Sequence, residues 1–263
     1  MPPPPPPPSF GLTPGDEAPK KKKSRRGLTI ALIAVIVIAL LAGGLAGGEL
    51  YARYRADTVL TDVAQCIVED GASISFGVNP PFLWQHITGH YTNISVKTAG
   101  KRVQAADGMT AEVALKDVRL DGTEDSKGTI GSLTAKLSWK SEGIKETVAQ
   151  NLPVVGDLLT GVRTNRAEGT VILDAGDNSV TARPVVTDGD LNLEVLDVVG
   201  PLPKEAVQTA LNELTKKLND NYPLGIHADS VEVTDSGVVG TFSSQDAKIP
   251  KTGEAANACF ERL

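Results

Sequence analysis

Histidine is the side chain best suited to proton transfer near neutral pH and to metal binding, and this chain has three. His86 and His90 stand four apart in HITGH, a spacing that on a helix would place both imidazoles on one face as a metal pair. The local sequence argues against that use. Thr88-Gly89 makes a poor helix, the residues that follow read as a strand, no Glu intervenes and His227 is far away in the chain. These are read as surface or edge histidines, and no metal is expected. Asp121, Glu124 and Asp125 (DGTED) form an acidic cluster that lacks the full ligand spacing of a calcium loop, so it reads as a solvated turn. There is no G-x-S-x-G elbow, no P-loop and no G-x-G-x-x-G. Asn93-Ile94-Ser95 spells a glycosylation sequon inside an expected strand. No catalytic residue and no cofactor is expected, and the chain is not read as an enzyme. An envelope hydrolase working through unmarked carboxylates is the remaining enzymatic alternative.

Cys66 and Cys259 are the two cysteines and flank nearly all of the second part of the chain. In an oxidising compartment, two cysteines near the ends of one domain most simply form one disulfide. The loop so closed, about 194 residues, is worth on the order of 5 kcal/mol in the chain-entropy model. A reactive thiol is the alternative, but the charges near Cys66, Glu69 and Asp70, are acidic and would not lower its pKa.

Before that domain the chain has a different character. Pro2 to Pro8 form an unbroken proline run, and residues 1–26 read as a disordered cytoplasmic tail. Lys20 to Lys23, Arg25 and Arg26 form a basic block directly before Gly27–Gly48, which carries no charge. As a helix this run spans about 33 Å, against a hydrocarbon core of roughly 30 Å. It reads as a single-pass plasma-membrane anchor, residues 27–48. The positive-inside rule then places the N-terminus in the cytoplasm and residues 49–263 outside. A cleaved signal peptide is the rival, disfavoured by the long basic region and the long apolar run. Six of the 26 basic and two of the 32 acidic residues precede Glu49, leaving 20 basic and 30 acidic beyond it. Such an acidic domain is not a nucleic-acid binder, because phosphate contacts need clustered basic charge.

Residues 49–263 read as one α+β domain. Leu60, Val63, Ala64, Ile67 and Val68 recur at helical spacing, and Gly71 ends the run. Leu133, Ala135, Leu137 and Trp139 alternate with polar residues at strand spacing, as do Ile94 and Val96, Val113 and Leu115, and Leu191, Leu193 and Val195. Further strands are expected at 169–174, 178–186, 226–234 and 237–243. Turn-formers such as Asp188-Gly189 and Asp235-Ser236-Gly237 separate them, which favours an antiparallel meander. A helix broken at Pro153 is expected over 141–160. A clearer one covers Lys204 to Asn219, with a stripe of Val207, Ala210, Leu211, Leu214 and Leu218.

In a chain with only 4% aromatic residues, Phe82, Leu83 and Trp84 stand together after Pro80-Pro81. Two readings stand side by side: an apolar lip or pocket wall, or an anchor that pins the first strand to the core.

The segment PFLWQHITGHYTNISV, with its pattern P-F-L-x-Q, spacer, G-x-Y-x-x-I-x-V, resembles the opening of the LmeA-like family of actinobacterial envelope proteins. Tyr222-Pro223-Leu224-Gly225-Ile226 to Val231-Glu232-Val233-Thr234, then Gly237-Val238-Val239, looks like the family's closing element, with Tyr222 at the usual Leu position. The resemblance covers roughly residues 57–263. It implies a periplasmic phospholipid-binding protein linked to envelope glycolipid assembly. The implied fold is like a tubular lipid-binding domain, a strongly curved antiparallel sheet around one or two helices with an acyl chain in the groove between them. The family supplies no catalytic residues. The groove-facing candidates are Phe82, Leu83, Trp84, Val207, Leu211 and Leu214. A structural envelope protein with a closed core and no ligand is the alternative.

Overall fold

In the computed structural model the described residues are 1, 3, 25–124, 126–151, 158–219, 223–250 and 259. The proline run and most of the basic block, Asp125, the break expected at Pro153 and the motif residue Tyr222 lie outside them. The chain divides into two units, Met1–Ala46 and Gly47–Leu263.

Helix α1, Arg25–Val68, runs through the described part of the first unit and supplies the opening of the second. In the first unit its side chains from Leu32 to Leu45 are exposed and apolar. Among the described residues α1 is the one helix long and apolar enough to cross a membrane.

The second unit is α+β with antiparallel sheets. Glu69, in the left-handed region at φ 58°, ends α1 and turns the chain into β1, Ala72–Phe76. Helix α2, Phe82–Thr88, is a single short piece between β1 and β2, His90–Thr98. A short ribbon follows, β3 (Arg102–Val103) with β4 (Ala106–Asp107). Then come β5 (Met109–Arg119), β6 (Ser126–Lys140) and helix α3 (Ser141–Asn151). Next are β7 (Gly161–Asn165), β8 (Thr170–Ala175), β9 (Asn178–Thr187) and β10 (Asp190–Val199). Helix α4 (Lys204–Asn219), β11 (His227–Thr234) and β12 (Gly237–Pro250) complete the order.

The strands form a six-stranded sheet, β1-β2-β5-β6-β12-β11, a four-stranded sheet, β10-β9-β8-β7, and the β3-β4 ribbon. The α+β fold with antiparallel sheets is as expected; the one difference is that the strands divide into two main sheets and a ribbon, and neither main sheet closes. Alternation fixes the register, since a one-residue slip would turn each apolar row to the wrong face. Leu133 pairs with Leu115, and Ala135 with Val113 and Phe242.

Each sheet has its own core. The first gathers Phe82, Tyr91, Ile94, Leu133 and Phe242, with Ala52, Ala56 and Leu60 of α1 packed against it at spacings of four. The second gathers Ile144 and Val148 of α3, Leu211 and Leu214 of α4, and Val171, Leu173, Ala182 and Val195 of the four-stranded sheet. Strand β11 takes part in both, burying Ala228 in the first and Val233 in the second. Cys66, in the last turn of α1, is bonded to the buried Cys259.

Three further expectations are corrected. Of the helix expected over 141–160, Ser141–Asn151 is helical, residues 152–157 lie outside the described residues, and 158–160 are not helical: Thr160 donates its N–H to the Asp174 carbonyl as the chain enters β7. Strands β1 and β7 are additional, being five residues each and too short to show a clear period. Thr88 ends a helix despite its poor local propensity. Gly89 takes the left-handed C-cap at φ 64°, and its N–H bonds back to the α2 carbonyls.

Candidate functional site

Short-range hydrogen bonds decide where the helices of the second core stand. Asp107 holds α3 to the β3-β4 ribbon. Its N–H donates to the Thr147 hydroxyl at 2.9 Å, its carbonyl accepts from the Trp139 indole at 2.8 Å, and its carboxylate accepts from the Gln150 amide at 2.8 Å. Gly143 lies so close to Asp107 that a Cβ there would collide with the Asp107 carbonyl.

Helix α4 covers the β10 edge of the four-stranded sheet. Gln208 accepts from the Val195 N–H at 2.8 Å and donates to the Leu193 carbonyl at 2.7 Å. Asn219 does the same at Leu191, at 3.3 and 2.9 Å. Two side-chain amides thus stand in for a missing neighbour strand, which removes an exposed edge. The adjoining stripe of α4 turns Leu211 and Leu214 inward.

Between α3, α4 and the four-stranded sheet lies a small apolar cavity of about 60 Å³. Ile144 and Val148 form one wall, Leu211 and Leu214 another, and Leu173, Ala182, Pro184 and Leu193 the sheet floor. Trp139 and Val238 of the six-stranded sheet close one side. The one polar side chain in the wall, Thr215, spends its hydroxyl on the Leu211 carbonyl at 3.1 Å. The cavity therefore offers burial and no polar chemistry. Pockets that hold small molecules usually measure roughly 300–1,000 Å³, so this one can take a long apolar chain only if α3 or α4 separates from the sheet.

A larger concavity of about 930 Å³ lies over β7, lined by Arg163, Asn165, Arg166, Ile172 and Asp235. It is open to solvent and its cations are engaged. Arg163 holds Asp174 at 2.6 and 2.7 Å, and Arg166 faces Glu232 at 3.8 Å and Asp235 at 4.0 Å. The hydrogen bond from Arg163 keeps the Asp174 carboxyl below its ordinary range. The small apolar cavity is thus the better candidate despite its size.

The six candidates from the sequence do not share one place. Leu211 and Leu214, 2% and 4% exposed, line the cavity, and the half-buried Val207 packs on the same core. Phe82 is fully buried in the other core, 4.7 Å from the Phe76 ring, with the Arg53 guanidinium 5.4 Å from its ring centre. Leu83 is half-buried, and Trp84 is 62% exposed. The cavity residues that were missed, chiefly Ile144, Val148, Ala182 and Pro184, sit on elements with no sequence signal saying which helix they would meet.

The motif residue Gln85 is fully buried and explains its own place. Its amide donates to the carbonyls of Gly77 and Pro80 at 3.1 and 2.6 Å and accepts from the Thr92 N–H at 3.0 Å. It ties the loop before α2 to strand β2. His86, on α2, meets the Tyr91 hydroxyl at 2.9 Å, while His90, on β2, meets Asp117. The two imidazoles therefore sit on different elements with different partners. Among the described residues no three His, Cys, Asp or Glu side chains are grouped to hold a metal.

Residues 43–243 match the model of a family described as LmeA-like phospholipid-binding. Among curated proteins the chain is similar to Uncharacterized protein Rv0479c of Mycobacterium tuberculosis and to Uncharacterized protein Mb0489c of Mycobacterium bovis. Each is 48% identical over 248 residues, which cover 93% of this chain and 71% of the relative. No solved structure gives a significant match.

Proposed function

The chain belongs to the LmeA-like phospholipid-binding family, and from that premise we propose that it is a membrane-anchored, extracytoplasmic phospholipid binder of the cell envelope. The anchor is residues 27–48, with the basic block on the cytoplasmic side. A disulfide between Cys66 and Cys259 suits an oxidising compartment outside the cytoplasm. The observation that carries the reading is the apolar wall between α3, α4 and the four-stranded sheet, in which the one polar side chain, Thr215, spends its hydroxyl within its own helix. An acyl chain lodged there gains roughly 0.8 kcal/mol for each methylene removed from water, with no need for catalytic groups. The domain works without chemistry on its ligand, holding lipid near the outer leaflet in support of envelope lipid or lipoglycan assembly.

The test is native mass spectrometry of residues 49–263 exported to an oxidising periplasm, with extraction of any lipid that co-purifies. A stoichiometric phospholipid adduct is expected, and its headgroup would be read from the same sample. The small size of the cavity favours a second reading, a structural or interaction protein of the envelope with a closed core. A lipid-free mass, with no uptake from added phospholipid vesicles, would establish that reading and remove the first.

A further inference from the structure

Exposed apolar side chains of the second unit recur on α2, on the segments flanking it and on the part of α1 after the apolar run. Residues 71–96 contain no Asp, Glu, Lys or Arg, although 22% of the chain is charged. Within this stretch Val78, Trp84 and Ile87 are 78%, 62% and 72% exposed. Trp84 and Ile87 are three apart on α2 and so share a face. Leu120, also exposed, is bonded through its N–H to the Gly89 carbonyl at the end of the same helix. Tyr51 and Tyr54 are exposed on α1 close by in the chain. Among the described residues, Tyr51, Tyr54 and Trp84 are the exposed aromatic side chains.

The position of this surface along the chain bears on what covers it. Glu49 is the first charged residue after the apolar run Gly27–Gly48. Its carboxylate accepts the backbone N–H groups of Phe82 and Leu83 at 2.7 and 2.6 Å. Consecutive Cα atoms stand about 3.8 Å apart, so α2 is fastened one residue beyond the apolar run. The polar layer of a bilayer leaflet is roughly 5–7 Å deep. With Gly27–Gly48 across a bilayer, as proposed above, a helix fastened at that point would lie inside the layer, where Trp and Tyr side chains concentrate because one part of the ring is apolar and another is wet.

We propose that α2 and its flanking loops form an interfacial foot, with Trp84 and Ile87 seated at the boundary between headgroups and acyl chains of the bilayer that holds the anchor. The occupant of the surface is lipid, and the contact is apolar, since the stretch carries no cation to pair with phosphate. This rests on the anchor reading above and goes beyond it: Trp84 meets the bilayer and not a ligand inside the domain.

The test uses the full chain in vesicles of phosphatidylcholine and phosphatidylglycerol, with brominated phosphatidylcholine as a depth-dependent quencher. The difference between the wild type and Trp84→Phe isolates the Trp84 emission from that of Trp139. Trp84 emission is expected to be blue-shifted and largely quenched by bromines near the headgroup end, with little change on adding salt. Ile87→Asp is expected to reduce that quenching at least several-fold.

Alkaline carbonate extraction of the same vesicles separates the two readings. Loss of the chain from the membrane would overturn the anchor and the foot together. Retention with water-exposed, unquenched Trp84 emission would overturn the foot alone. Trp84 shielded from aqueous acrylamide yet unquenched by bromolipid would mean that a protein surface covers it, and would overturn the proposal too.

Discussion

The Glu49 carboxylate accepts the N–H of Leu83 at 2.6 Å across a separation of 34 residues. Helix α2 begins after Pro81, which offers no side-chain cap. Its first N–H groups would otherwise lack partners. Glu49 supplies the missing acceptor from another helix and is itself steadied by Arg53 at 2.8 Å. Hydrogen bonds to a charged group contribute roughly 1.5–3 kcal/mol. Glu49→Ala is expected to lower the urea midpoint of the full chain in detergent by the equivalent of about 2 kcal/mol, and Glu49→Gln by less. An unchanged midpoint would show that water replaces the carboxylate at no cost.

The cavity makes a prediction of opposite kind. Leu214→Phe adds volume where the space is only about 60 Å³. Overpacking costs about 1–3 kcal/mol, so the domain should still fold, as its circular dichroism would report. Lipid retained through purification should fall several-fold. Retention at the wild-type level would place the acyl chain elsewhere.

The disulfide joins residues 193 apart. In the chain-entropy model such a closure contributes on the order of 5 kcal/mol. Reduction, or Cys66→Ala with Cys259→Ala, is expected to lower the unfolding midpoint by that order while leaving the native sheet signal unchanged under mild conditions. A shift below about 1 kcal/mol would mean that the sheets already confine the ends in the unfolded ensemble.

Asp70 gives a pH dependence with a definite sign. Burial pushes its carboxyl upward, but the backbone N–H groups of Lys101, Gly71, Arg102 and Gly100 outweigh this, and its pKa lies below the ordinary value. The unfolded chain then binds its proton first as the pH drops. The stabilisation is fully present above about pH 4 and is lost as the pH falls through the lower, folded value. Acid unfolding of Asp70→Asn, compared with wild type, should show a shallower loss of stability below about pH 4. Parallel curves would remove Asp70 from the account.

Much of this architecture is legible in the residues. The alternation in Leu133 to Trp139 and in Leu191 to Val195, and the stripe of Val207, Leu211 and Leu214, are local periods that burial enforces directly. What stays hidden is the partition between the two sheets. Pairing partners are set by contacts distant in the chain, and nothing local tells β6 that its Leu133 end joins one core and its Trp139 end the other. Helix α2 is hidden for the same reason, since its cap comes from Glu49. Trp84 shows the limit most clearly: an aromatic in an apolar run looks like core, yet it is the neighbouring Phe82 that is buried.

The bond between Cys66 and Cys259 also has a mechanical meaning. It joins the last turn of α1 to the far end of the domain, turning the chain between them into a covalent ring. A pull between α1 and Cys259 is carried by that single bond, and the ten strands of the two main sheets bear none of the load. Force applied to both ends therefore unzips no strand. Reduction would shift the same pull onto the hydrogen-bond ladders.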